Sequence, residues 1–127
     1  MPARKIGPNS LSIITGAGSG FGRALAVELA RRGGRLILSD INMSGLEETV
    51  TLIRGAGGAE PKTLRCDVSK LSDVEEMAKA AHGETIDLVV NNAGISCGGL
   101  VGEVPISDWQ KTLDIDLWGV IYGCHVF

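Results

Sequence analysis

A doubly wound α/β sheet, parallel throughout and covered by helices on both faces, is the fold class this sequence predicts. Three observations predict it. Short apolar runs alternate with helical stretches, in the order β-α-β-α-β-α-β-α. Helices between successive strands force parallel pairing through right-handed crossovers. The runs themselves are nearly all apolar rather than alternating, as expected of strands buried on both faces.

Each element has its own signal. Leu11–Thr15 is rich in β-branched residues and ends in a glycine cluster, which reads as a strand. Ser19–Arg32 reads as a helix with Phe21, Leu25 and Leu29 at four-residue spacing, stopped by Gly33 and Gly34. Arg35–Ser39 is a second strand, with Asp40 at its end. Ser44 and Glu47 form a capping box for a helix that ends by Gly55. Lys62–Cys66 is a third strand, and Ser72 with Glu75 caps a helix through about Ala81. Ile86–Val90 is a fourth strand. Ser107 and Gln110 make a third box, opening a helix that runs to the end of the sequence. Residues 55–61 and 94–105 read as loops, residues 1–9 as an N-terminal tail, and residues 10–127 as one α/β domain.

Composition narrows the function. Twelve Lys and Arg against 15 Asp and Glu give a net charge of −3, and the pI is near 5.3. That balance argues against a nucleic-acid partner, which calls for a basic stripe. No window is apolar for the ~18 residues a membrane span needs. Cys66, Cys97 and Cys124 are odd in number and form no Cys-x-x-Cys pair, so neither a disulfide framework nor a metal site is expected. A reducing, cytoplasmic setting fits. Glycine is in excess, 18 of 127 residues or about 14%, against an average near 7%.

Four of those glycines fall in Thr15-Gly16-Ala17-Gly18-Ser19-Gly20-Phe21-Gly22, between the first strand and the first helix. Glycines let a backbone approach a pyrophosphate, and a helix N-terminus offers free N–H groups and partial positive charge to the anion. The spacing is Gly16, Gly20 and Gly22; Gly-x-Gly-x-x-Gly fails at Phe21, and no Gly-Lys-Ser/Thr follows as a nucleoside-triphosphate loop would require.

This loop resembles the cofactor fingerprint of the short-chain dehydrogenase/reductase family. Three further stretches carry the resemblance in the same order: Cys66-Asp67-Val68, Asn91-Asn92-Ala93-Gly94, and Asp116-Leu117-Trp118-Gly119-Val120. It covers nearly everything from residue 10 onward. It implies a Rossmann-type sheet of order 3-2-1-4 and an oxidoreductase that moves a hydride between a nicotinamide and a small alcohol or carbonyl compound. It implies NAD(H) held by Gly16, Gly18, Ser19, Gly20, Phe21, Gly22, Asp40, Asp67, Val68, Asn92, Ala93 and Gly94. NAD is expected over NADP. Asp40 can accept from ribose hydroxyls and repels a 2′-phosphate, and Ser19 is not basic; Arg23 and Arg35 could soften the preference. Plain alternatives are a helix-capping Asp40, a turn aspartate at Asp67 and an Asx-turn at Asn91-Asn92.

The family's Tyr-x-x-x-Lys pair is missing: the one tyrosine is Tyr122, and Val126 stands four residues on. Asp116 occupies the position of the family's catalytic asparagine. An aspartate there only accepts hydrogen bonds where Asn also donates. The chain is therefore expected to be the cofactor-binding part of a longer enzyme, inactive alone and truncated after the fourth strand and its helix. The resemblance implies a homodimer or homotetramer in the parent. The alternative is a non-catalytic dinucleotide-binding or regulatory interaction protein. Gly94-Ile95-Ser96-Cys97-Gly98 matches a hydrolase elbow, but Gly98, Gly99, Gly102 and Pro105 bar the helix an elbow must open. Trp109 and Trp118 are expected in the core or at subunit contacts.

Overall fold

The computed structural model describes residues 6–127. Residues 1–5 of the expected tail lie outside the described residues. The elements run β1 Leu11–Thr15, α1 Gly20–Arg31, β2 Arg35–Asp40, α2 Met43–Gly55, β3 Lys62–Arg65, α3 Leu71–Lys79, β4 Leu88–Val90, α4 Ile106–Leu113 and α5 Gly119–Val126. A π-helical turn, Asp114–Trp118, joins α4 to α5. The four strands form one parallel sheet in the order β3-β2-β1-β4. Ile14 pairs with Leu38 on one side and Val90 on the other.

The pleat sends alternate side chains to opposite faces, and two cores result. Ile14, Leu36 and Leu38 pack with Ala26 and Ala30 of α1 and Leu46 and Ile53 of α2. Leu11, Ile13 and Ile37 face the other way, onto Val74 and Met77 of α3, with Tyr122 and Val126 of α5 half-buried against them. The central strands β1 and β2 are buried, while β3 and β4 are only half-covered. The expectation of strands covered on both faces therefore holds for the middle of the sheet.

Several local expectations change. The buried stripe of α1 is Gly22, Ala26 and Ala30, not the Phe21-Leu25-Leu29 row; Phe21 is 71% exposed. Small residues let α1 lie close to the sheet, and the larger side chains flank that contact. None of the three capping boxes forms. α2 is capped by Asn42, whose Oδ1 accepts from Gly45 N–H and the Ser44 hydroxyl. α3 starts after Lys70 and α4 after Pro105, neither with a side-chain cap. Asp73 in the first turn of α3 instead accepts from Asp67 N–H. A Ser-x-x-Glu or Ser-x-x-Gln pattern offers a cap, but the N-cap position of each of these helices falls two residues earlier, at Asn42, Lys70 and Pro105. Neither tryptophan is in the core: Trp109 is exposed, and Trp118 lies tilted against Tyr122 with ring centroids 5.7 Å apart.

α5 approaches the sheet through two glycines a helical turn apart. A side chain at Gly119 would strike Val68, and one at Gly123 would strike the Asn91 amide. None of the helices is long and apolar enough to cross a membrane, among the described residues.

Candidate cofactor site

The strand order reverses between β1 and β4, because β2 and β3 build outward on the far side of β1. Loops leaving the carboxyl ends of strands on either side of such a switch diverge and open a crevice. The crevice here is an open cleft of ≈ 380 Å³ at the ends of all four strands.

Gly16 begins its floor. Its φ of +65° suits glycine, and a Cβ there would come within 2.8 Å of Ala93 Cα. Thr15 ties the ends of β1 and β4 together. Its hydroxyl accepts from both Asn92 N–H and Ala93 N–H at 3.0 Å and donates to Val90 O at 3.4 Å. The Asn92 amide returns the link, donating to Thr15 O at 3.0 Å and Gly16 O at 3.2 Å. Ser19 stands at the N-cap of α1 without a side-chain cap bond. The first-turn N–H groups of an α-helix have no intrahelical acceptors, and those of α1 begin at Gly20 on the cleft wall.

The sequence-predicted residues converge on this cleft. Gly16, Ser19, Gly20, Phe21, Asp40, Asp67, Val68, Asn92, Ala93 and Gly94 line it. Gly18 and Gly22 lie just behind it. Gly18 N–H donates to Asp40 Oδ2 at 2.8 Å, and Gly22 packs on Gly16 O and the Asn92 amide. Asp40 Oδ1 also accepts from Asn42 N–H at 3.0 Å, so the helix-entry role exists beside the cleft-lining one. Asp67 Oδ1 accepts from Ser69 N–H at 3.1 Å and the Ser69 hydroxyl at 2.6 Å. Partial burial works against its ionisation. The Ser69 bonds, with Lys70 and Arg65 nearby, outweigh this and hold the carboxyl below the usual carboxylate range. Burial, with Asp73 and Asp67 close by, pushes the Cys66 thiol up to about 11. A protonated thiol is a poor nucleophile, so Cys66 contributes wall rather than chemistry.

Asp116 is not among the lining residues. It sits on the π-helical turn, and its Oδ1 accepts from Ile95 N–H at 2.9 Å, holding the loop after β4 against the helix. The two cations weighed as NADP partners are both engaged elsewhere. Arg35 is at the start of β2 and pairs with Glu84 at 2.5 Å. Arg23 reaches under the glycine loop to Gly18 O. A second groove of ≈ 390 Å³, lined by Ile41, Asp67, Ser69, Lys111 and Ile115 among others, shares residues with the main cleft and extends it.

Sequence reading missed Thr15 as a stitch and Arg23, Gly45 and Thr49 beneath the loop. Thr15 could have been found, since it directly precedes the glycines. The others act across a crossover connection, and no local pattern joins them.

This sheet, with a glycine loop between its first strand and helix at the switch point, defines a dinucleotide-binding α/β class. The chain belongs to the short chain dehydrogenase family, whose pattern it matches over residues 11–127. It is 43% identical over 119 residues to the Mycobacterium tuberculosis protein named "Putative oxidoreductase SadH", covering 92% of this chain and 43% of that one. It is 37% identical over 126 residues to human epidermal retinol dehydrogenase 2, covering 98% of this chain and 41% of the relative. A crystal structure of a short chain dehydrogenase/reductase from Burkholderia phymatum in complex with NAD superposes with a TM-score of 0.90 at 38% identity. The match covers 98% of this chain and 44% of that one. The chain thus spans less than half the length of these relatives.

Proposed function

We infer that this chain is the cofactor-binding part of an NAD-dependent oxidoreductase acting on a small alcohol or carbonyl compound. The observation that carries the reading is the cleft itself, where the open end of α1, Asp40 and the Asn92–Gly94 backbone face one space. A dinucleotide fits this set. The glycine loop and first turn of α1 would take the pyrophosphate, Asp40 the adenine-side ribose, and Asp67 and Val68 the adenine edge. Asn92, Ala93 and Gly94 would flank the second ribose. When bound, the nicotinamide supplies the hydride donor or acceptor.

Asp40 favours NAD. A 2′-phosphate brought beside its carboxylate meets like charge, while Arg23 and Arg35 are engaged with Gly18 O and Glu84. Asp116 acts as an acceptor that positions the loop at Ile95, a role its oxygen performs as an asparagine oxygen would. The proton-transfer pair of the family, Tyr-x-x-x-Lys, is absent from these residues. This favours a second statement: the chain alone binds cofactor without turning over an alcohol. Homo-oligomerisation of the parent, through the helix from Ser107 onward, is part of the same proposal.

Fluorescence titration tests the reading. NADH is expected to saturate the chain and to bind at least about tenfold tighter than NADPH, a difference of about 1.4 kcal/mol. No binding of either nucleotide, or tighter binding of NADPH, overturns it.

A further inference from the structure

We propose that Arg23 and Thr49 are positioning residues for the glycine loop, setting the direction of its N–H groups by holding its carbonyls from behind. The proposal rests on the cofactor reading above.

Arg23, on α1, sends Nη2 to Gly18 O at 2.5 Å, Gly45 O at 3.2 Å and Glu48 Oε2 at 2.9 Å. Its Nε donates to Thr49 Oγ1 at 3.1 Å. Thr49, on α2, is fully buried. Its hydroxyl lies 2.8 Å from Ala17 O and 3.1 Å from Gly45 O. A hydroxyl has one proton to give; the shorter contact directs it to Ala17 O, while the oxygen accepts from Arg23. Two successive loop carbonyls, Ala17 and Gly18, are therefore held on the α2 side.

Peptide units are planar and trans, so each C=O lies opposite the N–H of the next residue. Holding Ala17 O aims Gly18 N–H the other way, where it meets Asp40 Oδ2 at 2.8 Å. Holding Gly18 O aims Ser19 N–H away from α2, and Ser19 lines the cleft. The carbonyls would otherwise be free to turn toward an arriving anion and repel it. Gly45 completes the arrangement: a Cβ there would stand 2.5 Å from Gly18 O, so only a glycine lets α2 come this close. The exposed Glu48 carboxylate adds little, as surface ion pairs do. The fork of Arg23 makes these bonds from two nitrogens at once, which a lysine cannot do.

The test is Thr49→Val, which keeps the volume and removes the hydroxyl, against Thr49→Ser, which keeps the hydroxyl. NADH affinity is expected to fall about tenfold or more in Thr49→Val and to stay within about twofold in Thr49→Ser. Arg23→Met carries the same expectation as Thr49→Val, should that variant fail to fold. Equal NADH affinity in wild type and Thr49→Val, or an equal loss in Thr49→Ser, overturns the proposal. Amide hydrogen exchange without ligand gives a separate readout. Exchange across Ala17–Phe21 is expected to accelerate in Thr49→Val while that of β1 is unchanged; unaltered loop exchange overturns the brace even if NADH never binds. A wild-type chain that fails to bind NADH but shows the exchange effect overturns the cofactor reading alone.

Discussion

Both carboxylate oxygens of Asp40 already hold backbone N–H groups, Gly18 on Oδ2 and Asn42 on Oδ1. A carboxylate accepts several bonds, so ribose hydroxyls would join these donors rather than displace them. Asp40 is thus at once an anchor of the glycine loop and the charge that reads the ribose. Asp40→Ala is expected to weaken NADH by about tenfold, the scale of a lost bond to a charged group, and to weaken NADPH less because like-charge repulsion is relieved. The NADH-over-NADPH ratio should shrink, and paired titrations check it. An unchanged ratio would assign Asp40 to the loop alone. Asp40 and Asp67 were legible in the sequence because Asp40 ends the second strand beyond the glycine loop and Asp67 stands in Cys66-Asp67-Val68 just after the third. From the sequence Arg23 reads only as a cation that could soften the NAD preference, because its partners Gly45, Glu48 and Thr49 lie beyond β2.

The helix starts show how far local pattern reaches. β1, β2 and β4 were readable from their apolar runs, and the first helix from its periodicity and the glycines that stop it, since those signals are summed over several residues. The later helices exist where they were placed, although the capping boxes that placed them do not form. The caps were not readable. Ser44 serves Asn42 rather than the helix directly, and Ser72 makes no cap at all. A shift of two residues in chain entry decides which side chain meets the first N–H groups. Urea denaturation separates the alternatives. Asn42→Ala is expected to cost about 1 kcal/mol, whereas Ser72→Ala should stay within about 0.5 kcal/mol. The π-helical turn was equally invisible: Asp114–Trp118 carries no proline or glycine to mark it. It is the Asp116–Ile95 bond and the close seating of Gly119 and Gly123 that accompany it in space.

At the scale of the whole molecule, acid acts through Asp67. Its folded carboxyl titrates below the ordinary range. The stabilisation it brings is therefore fully present above the unfolded value, about 3.9, and is lost as pH falls through the folded value. Wild type is expected to exceed Asp67→Asn in stability at pH 7, with the difference beginning to shrink only below about pH 4 and vanishing once pH has fallen through the folded value. Thermal melts across that range check it, and a gap that persists in acid would contradict the assignment. The outer surface of the last helical run holds a different consequence. Trp109, Leu113, Leu117 and Ile121 are all exposed and recur every fourth residue. In a plain α-helix such a row winds around the axis, because four residues overshoot a 3.6-residue turn. The π-helical turn takes in one extra residue and absorbs part of that overshoot, so the row stays nearly straight for about 18 Å. Removing a single residue from Asp114–Trp118 would swing everything beyond it by about 100°. Leu117 and Ile121 would leave the line, and the glycines of α5 would turn away from Val68 and Asn91. One residue in that turn keeps two opposite faces of the same rod in phase.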